Sequence, residues 1–324
     1  MRAIQLTGPR LIEVVDAPAP APQGGQVLVR TEYLSICGSD MRQYRRVHPE
    51  EAYPFPPGVP CHEIVGVVEE SRSPLVTPGQ RVIALPAAGG AAGYGGGGEL
   101  LVSTPDRIIP LPDGADPSTY IMCQPVGTVI FALKRLGNML GKSAVVMGQG
   151  AIGLTFTALL NRMGAHQVIA VDRHDYRLAR ARTLGATVAL NASDVDVAAA
   201  VADLTGGVGA DVVVEACGDP ASINQLALVV RRYGTIILFG LPEENVVELD
   251  YMSLVRRMAT IIPTISAASD DPSGDIKEAV ALVADGKLDV DWMVTHRLTM
   301  ADAPRAYQMY EDYSDQVLKV VMRV

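Results

Sequence analysis

Residues 144–153 read AVVMGQGAIG, and this stretch decides the fold. Ala144–Met147 form an apolar strand, Gly148, Gly150 and Gly153 follow as G-x-G-x-x-G, and the apolar run Ile152–Met163 continues as a helix. The three glycines alone are a weak signal. Their setting carries the weight: a strand precedes, a helix follows, and a second strand ending VIAVD puts Asp172 24 residues beyond Gly148. Gly148 permits the tight turn, Gly150 lets backbone N–H groups approach a pyrophosphate, and Gly153 lets the helix pack close to the sheet. The helix amino end favours the negative charge. A carboxylate at Asp172 accepts both ribose hydroxyls and repels a 2′-phosphate, which favours NAD over NADP. Arg173, beside it, works against that preference, because a guanidinium tolerates phosphate. A glycine-rich turn without a ligand accounts for the spacing but not for the acid.

Outward from this loop, strand-like runs at Val168–Val171, Thr187–Leu190, Asp211–Val214 and Thr235–Phe239 alternate with helical ones such as Arg177–Leu184. That alternation predicts βαβ units in a doubly wound parallel sheet, an α/β fold. The run Thr260–Ile265 is expected at the sheet edge. GNMLGKS (137–143) is a decoy for a phosphate loop: it is one residue short and precedes its strand. Upstream, short β runs (Gln26–Arg30, Ile64–Val68, Arg81–Leu85, Glu99–Val102) broken by Gly and Pro predict a small barrel-like or sandwich-like unit. Residues 87–98 (AAGGAAGYGGGG) read as a low-complexity loop of tight or mobile backbone, outside any core. After Ser266 come two helices, Ile276–Ala284 and Ala303–Tyr310, and a closing strand, Val317–Met322.

Composition narrows the function. A chain of 324 residues with 48% apolar and 19% charged residues fills one large or two ordinary domains. A net charge of −9 argues against a protein held to nucleic acid through phosphates. Four scattered cysteines, Cys37, Cys61, Cys123 and Cys217, do not make a disulfide scaffold. They point to a reducing, cytoplasmic setting and to metal or catalytic work. No apolar targeting run follows Met1. The charge-free stretch Ser143–Asn161 divides into strand, turn and helix, so no membrane span is expected.

Chemistry-bearing residues gather in the β-rich part. Cys37-Gly38-Ser39-Asp40 is followed 25 residues after Cys37 by His62-Glu63, and Cys123-Gln124-Pro125 stands just before the glycine-loop region. A catalytic zinc takes three N, S or O ligands and keeps one position open. Cys37 and His62 are typical ligands, and Glu63 either orients the site or binds when the open position changes. Taken singly, a Cys or His is more often a core residue.

These residues together resemble the medium-chain dehydrogenase/reductase family, its zinc-dependent alcohol, sorbitol and threonine dehydrogenase group. The resemblance rests on CGSD (37–40), PCHEIVG (60–66), PGQRV (78–82), VMGQGAIG (146–153) with Asp172, and GKLDVDWMVTHRL (286–298), and spans nearly the whole chain. It implies a Rossmann doubly wound parallel sheet inserted into a GroES-like β-rich catalytic domain, with catalytic parts at 1–124 and 266–324, an NAD-binding part at 125–265, and the active site in the cleft. It further implies zinc on Cys37 and His62, a proton passed through Ser39, Thr128 and Ile152 at the nicotinamide, Arg177 at the adenosine ribose and Lys319 at the pyrophosphate.

The chain also departs from the family pattern. The segment between PGQRV and GELLV lacks the four-cysteine lobe, so one catalytic zinc and no structural zinc is expected. Cys61 replaces the usual Gly before the metal His. The third ligand position falls on Gln124. Cys123 is chemically the better zinc ligand, but on extended backbone neighbouring side chains point apart, so only one of the pair faces the metal. The relay His is replaced by Arg42, which cannot act as a base near neutral pH but can hold an acidic substrate group or a cofactor phosphate. Arg45, Arg46 and His48 read as a solvated surface paired with Glu50 and Glu51.

The expected activity is hydride transfer between NAD and a secondary alcohol or its ketone, the alcohol being a polyol, sugar or related hydroxylated metabolite. Zinc supplies the Lewis acid. Two rivals stand beside it: a zinc-free quinone or enoyl reductase of the same fold, and a non-catalytic NAD-binding protein. The apolar edge run at 260–265 predicts a homodimer, or a homotetramer built from dimers.

Overall fold

The structure, a computed structural model, describes residues 1–87, 95–266 and 269–324. Residues 88–94 of the Gly/Ala run lie outside the described residues. The chain forms two units, 1–127 with 269–324, and 128–268.

The first unit opens with a hairpin, β1 (Arg2–Gly8) and β2 (Leu11–Asp16). Next come β3 (Val27–Ser35), α1 (Gly38–Arg45), β4 (Glu63–Ser71), β5 (Arg81–Ala84), β6 (Leu100–Ser103), β7 (Ile108–Pro110), and α2 (Pro117–Tyr120). α3 (Cys123–Leu133) leads into the second unit.

That unit alternates as expected: β8 (Ser143–Met147), α4 (Ala151–Arg162), β9 (Gln167–Asp172), α5 (Asp175–Thr183), β10 (Val188–Asn191), α6 (Val197–Leu204), β11 (Ala210–Glu215), α7 (Pro220–Val229), β12 (Val230–Leu238), α8 (Tyr251–Arg257), β13 (Thr260–Pro263). The tail adds α9 (Gly274–Ala284), β14 (Val294–Thr299), α10 (Ala303–Asp312) and β15 (Lys319–Arg323) to the first unit.

The second unit's sheet has the order β10-β9-β8-β11-β12-β13, every pair parallel. Its strands read as unbroken apolar runs because both faces are covered. Alternate residues serve opposite cores: Val145, Met147, Ile169 and Val213 face one, Ala144, Val146, Val168 and Val212 the other. The strand order reverses beside β8, the place where such sheets take a ligand beyond their carboxyl ends.

In the first unit the sheet runs β14-β15-β3-β4-β5-β7, with β6 on β3. β15 lies parallel to β14 and antiparallel to β3. The tail strand therefore sits beside the end of β3, which leads to Cys37, and β3 pairs with β4, which begins at Glu63. One reading of the glycine run needs correcting. Gly96, Gly97 and Gly98 are buried; Gly96 N–H donates to Cys61 O (2.9 Å), and a Cβ on Gly96 would collide with Ile64. Glycine is needed there for close approach inside the core.

At the glycine loop, Gly148 has φ 91° and Gly150 precedes α4. A Cβ on Gly153 would strike the Gly148 carbonyl, whereas one on Gly150 meets nothing within 4 Å. Gly153→Ala is therefore expected to destabilise this unit by about 1–3 kcal/mol through overpacking, and Gly150→Ala by less than about 1 kcal/mol. Denaturant unfolding of the two variants checks the order.

Candidate functional site

Cys37 immediately precedes α1, and Asp40 in the first turn completes a reciprocal cap: Cys37 N–H donates to Asp40 Oδ2 at 2.8 Å. The other oxygen, Oδ1, takes His62 Nδ1 at 3.0 Å. One carboxylate, 2% exposed, thus fixes both the helix that carries Cys37 and the ring of His62. With Nδ1–H committed to Asp40, Nε2 is the nitrogen left to ligate, the usual arrangement for a metal-bound histidine. Ser39 Oγ stands 3.5 Å from that Nε2. Burial pulls the His62 pKa down, but Asp40 and Cys37 outweigh it, and the ring is held well above its ordinary value.

The ligand atoms of Cys37, His62 and Glu63 lie within 4.8 Å of one another. A thiolate, an imidazole and a carboxylate at this spacing fit a zinc site. Glu63 is fully buried and meets Lys319, whose Nζ lies 2.5 and 2.6 Å from its two oxygens and 3.0 Å from Ile36 O. Burial lowers the Lys319 pKa, yet Glu63 and Cys37 raise it further, so the ammonium is held above its ordinary value. This corrects the expected pyrophosphate contact: Lys319 is 4% exposed, and its three donors are spent inside this unit.

Gln124 is 7% exposed and Cys123 fully buried, and both lie in the first turn of α3. The extended-backbone argument for choosing between them fails, since helical neighbours diverge by about 100°. Burial pushes the Cys123 thiol up to about 12. Cys61 is likewise buried, with its Sγ on Ser35 O at 3.6 Å. Arg42 is half-buried on α1. Arg45 corrects another expectation: its partner is Glu311 of α10 (2.6 Å), not Glu50 or Glu51, and His48 contacts the Gln43 carbonyl (3.1 Å).

In the second unit, Asp172 at the end of β9 is 8% exposed. Its Oδ2 accepts Gln149 N–H (2.6 Å), and Oδ1 accepts the N–H groups of Arg173 (2.8 Å) and His174 (2.9 Å). The acid therefore holds the glycine loop directly. Arg177 Nη1 lies 3.7 Å from Asp172 Oδ2, and Arg173 Nη2 points to Asp219 at 3.9 Å. Gln149 turns inward, donating to Val146 O and accepting from Thr157 Oγ1. Ile152 stands in the first turn of α4 and Thr128 on α3, both half-buried.

Sequence reasoning missed three supports. Asp40 stands in the CGSD motif, but its roles as cap of α1 and partner of His62 come from the structure. Tyr307 O–H donates to Pro60 O (2.7 Å), and Tyr310 O–H lies 3.2 Å from Ile36 O, so α10 steadies the segments entering both ligands. No local signal in the sequence marks either tyrosine.

A soft and hard donor set beside a hydroxyl, together with a dinucleotide-type glycine loop, defines a metal- and nucleotide-dependent oxidoreductase. Comparison with known proteins gives the particular family. A model described as "Alcohol dehydrogenase GroES-like domain" matches residues 23–113, and one described as "Zinc-binding dehydrogenase" matches 151–285. An alcohol dehydrogenase of Cupriavidus necator is 29% identical, across 100% of this chain and 98% of its own. The D-arabitol-phosphate dehydrogenase of Enterococcus avium is 26% identical, covering 90% and 89%. Among solved structures, the alcohol dehydrogenase TADH from Thermus sp. ATN1 superposes with a TM-score of 0.87 at 27% identity over all of both chains. The chain belongs to the zinc-dependent alcohol dehydrogenase group of the medium-chain dehydrogenase/reductase family, and it is an oxidoreductase acting on alcohols.

Asp40→Asn keeps the cap's shape but weakens its hold on His62 Nδ1–H. Metal affinity is expected to fall about 10–100-fold, measured by competition with a chromophoric chelator.

Proposed function

We propose that the enzyme oxidises a secondary alcohol group of a polyol, sugar or related hydroxylated metabolite with NAD, using one catalytic zinc. The observation that carries this reading is the single Asp40 carboxylate joining Cys37 and His62. Cys37 and His62 hold the metal, with Glu63 or Gln124 completing the set. When bound, zinc supplies Lewis-acid polarisation of the substrate oxygen and NAD the hydride-accepting ring. The alcohol proton leaves through the Ser39 hydroxyl, which receives it while passing its own proton on to the cofactor ribose and water; this hydroxyl lies beside His62 Nε2. Arg42 binds an acidic group of the substrate or a cofactor phosphate. Gly148, Gly150 and Gly153 shape the pyrophosphate cradle, Thr128 and Ile152 line the nicotinamide pocket, and Arg177 contacts the adenosine ribose.

Asp172 supports NAD over NADP, because a buried acid already bonded to three backbone N–H groups cannot retreat from a 2′-phosphate. Asp172→Ser is expected to raise the NADP-to-NAD ratio of kcat/KM at least tenfold, with Arg173 then close enough to serve the phosphate. Faster turnover of the unmodified enzyme with NADP than with NAD, at equal concentrations, refutes the assignment.

We assign the enzyme to the cytoplasm, where its four free thiols suit a reducing medium. Among the described residues no helix is long and apolar enough to cross a membrane. The assembly is a homodimer, or a tetramer built from dimers. β13 pairs only with β12, so its outer edge is open among the described residues. Ile261 on it is 42% exposed, Met258 43% and Ile265 58%. Such an edge pairs readily, although Pro263 limits bonding on one side. Light scattering at micromolar concentration is expected to give at least twice the chain mass; a monomer rules the proposal out.

A further inference from the structure

The sheet of the first unit carries a hollow at its β14 edge. This open cavity of about 380 Å³ is lined by Tyr33 of β3, Arg297 and Thr299 of β14, Val321 and Arg323 of β15, and Asp302. Its volume is at the small end of the range for small-molecule sites. The residues placed above at the metal and at the glycine loop take no part in the lining.

Strand register explains the hollow. Thr299, Arg323 and Tyr33 pair across three strands in one row, and Arg297, Val321 and Ser35 form the next row. Val320 and Met322 belong to the main core, so Val321 and Arg323 point to the other face of the sheet. Arg297 and Arg323 are then diagonal neighbours on adjacent strands, with Cα atoms roughly 8 Å apart from strand spacing and rise. Two arginine side chains span that distance easily and can meet on one ligand. Val321, short and buried, forms the floor beneath them.

Both arginines are exposed, and neither enters an ion pair among the described residues. Other arginines of this sheet do: Arg81 holds Glu32 at 2.8 and 3.2 Å, and Arg30 approaches Glu69 at 3.6 Å. Asp302 is the acid of the lining, and its Oδ2 already accepts Thr299 N–H (3.0 Å) and Thr299 Oγ1–H (2.6 Å). Asp116 feels the charge of Arg297 but is bonded to Ser118 and Thr119. Two arginines against one aspartate leave the lining one net positive charge, in a chain whose own net charge is −9. The Tyr33 ring and Val321 add an apolar patch beside the cations.

We propose that this hollow binds a small phosphate monoester, with its phosphate between Arg297 and Arg323 and its carbon body on Tyr33 and Val321. Two guanidinium forks arriving from different strands need an acceptor whose oxygen pairs face more than one way. A tetrahedral phosphate has them, whereas a planar carboxylate serves one fork. The site depends on neither the zinc reading nor the cofactor reading.

Phenyl phosphate is the probe, since it carries the dianion and a ring but no alcohol to oxidise. Its binding to the full-length protein is measured by titration calorimetry at low salt, where exposed charges act most strongly, with and without excess NADH. Binding is expected in both cases. Arg297→Gln and Arg323→Gln should each weaken it about tenfold, the loss of one charged hydrogen-bonding partner, and the double variant should abolish it. Unchanged thermal unfolding checks that these surface variants fold. Phthalate, matched in charge and ring, should bind about fivefold more weakly or worse. Absence of binding to the unmodified protein at millimolar probe, or an affinity unchanged in the double variant, overturns the proposal. So does displacement of the probe by NADH, which would place it on the glycine loop. Phthalate binding as tight as phenyl phosphate overturns the assignment to phosphate esters.

Discussion

The contact on which the candidate metal centre depends is the buried ion pair between Lys319 and Glu63. Two charges removed from water are not a source of much net stability, because desolvation offsets their attraction. Their value is positional. The pair ties the last strand of the chain to the residue after His62, and through Ile36 O to the residue before Cys37. α10 adds Tyr307 on Pro60 O and Tyr310 near Ile36 O. Both ligand segments are therefore held by residues that come more than 240 positions later. The tail is part of the site, not an appendage to it.

The second unit solves a parallel problem with an acid alone. Asp172 accepts three backbone N–H groups, one of them from the middle of the glycine loop. Glu215, at the end of β11, does likewise for Cys217 and Gly218, and Cys217 Sγ sits where a Cβ on Gly148 would go. The loop is thus braced from two strands before any ligand arrives. Gln149 contributes by turning into the core onto Thr157, which fixes the loop to α4 and leaves Gly150 with open space above it.

What the sequence made legible was local. The period of the apolar runs and the spacing of Gly148, Gly150, Gly153 and Asp172 define β8, α4 and β9 without reference to the rest of the chain. The proximity of Cys37 and His62 came through family resemblance, since the 24 residues between them carry no periodic signal. The unread pairings were long-range. Arg45 meets Glu311 across 266 positions and Lys319 meets Glu63 across 256, while charge pattern alone pointed Arg45 to the nearby Glu50 and Glu51. The extended backbone expected at Cys123 and Gln124 fails for another reason. Their backbone state was assumed, and a helical first turn, where Pro125 is well tolerated, takes away the alternation on which the choice rested. Gly96–Gly98 were read as loop because composition reports flexibility and close packing with the same residue.

The four cysteines show how environment, more than residue type, selects a ligand. Burial pushes Cys61 well above the ordinary thiol range, and the negative Asp40 and Glu63 push it further. Burial alone takes Cys123 up to about 12, whereas Cys217 is exposed at the end of the segment braced by Glu215. Cys61 and Cys123 are therefore held toward the neutral thiol, which is a poor metal donor and a poor nucleophile. Cys37 stands apart in its place. It is half-buried at the amino end of α1, and its backbone is pinned by the carboxylate that orients His62. A thiolate at Cys61 would be buried beside the negative Asp40 and Glu63, which favours the protonated thiol before the metal histidine. Cys61 thus serves as a small, uncharged residue packed against Gly96 and Gly97, leaving the metal-facing donors of its segment to His62 and Glu63.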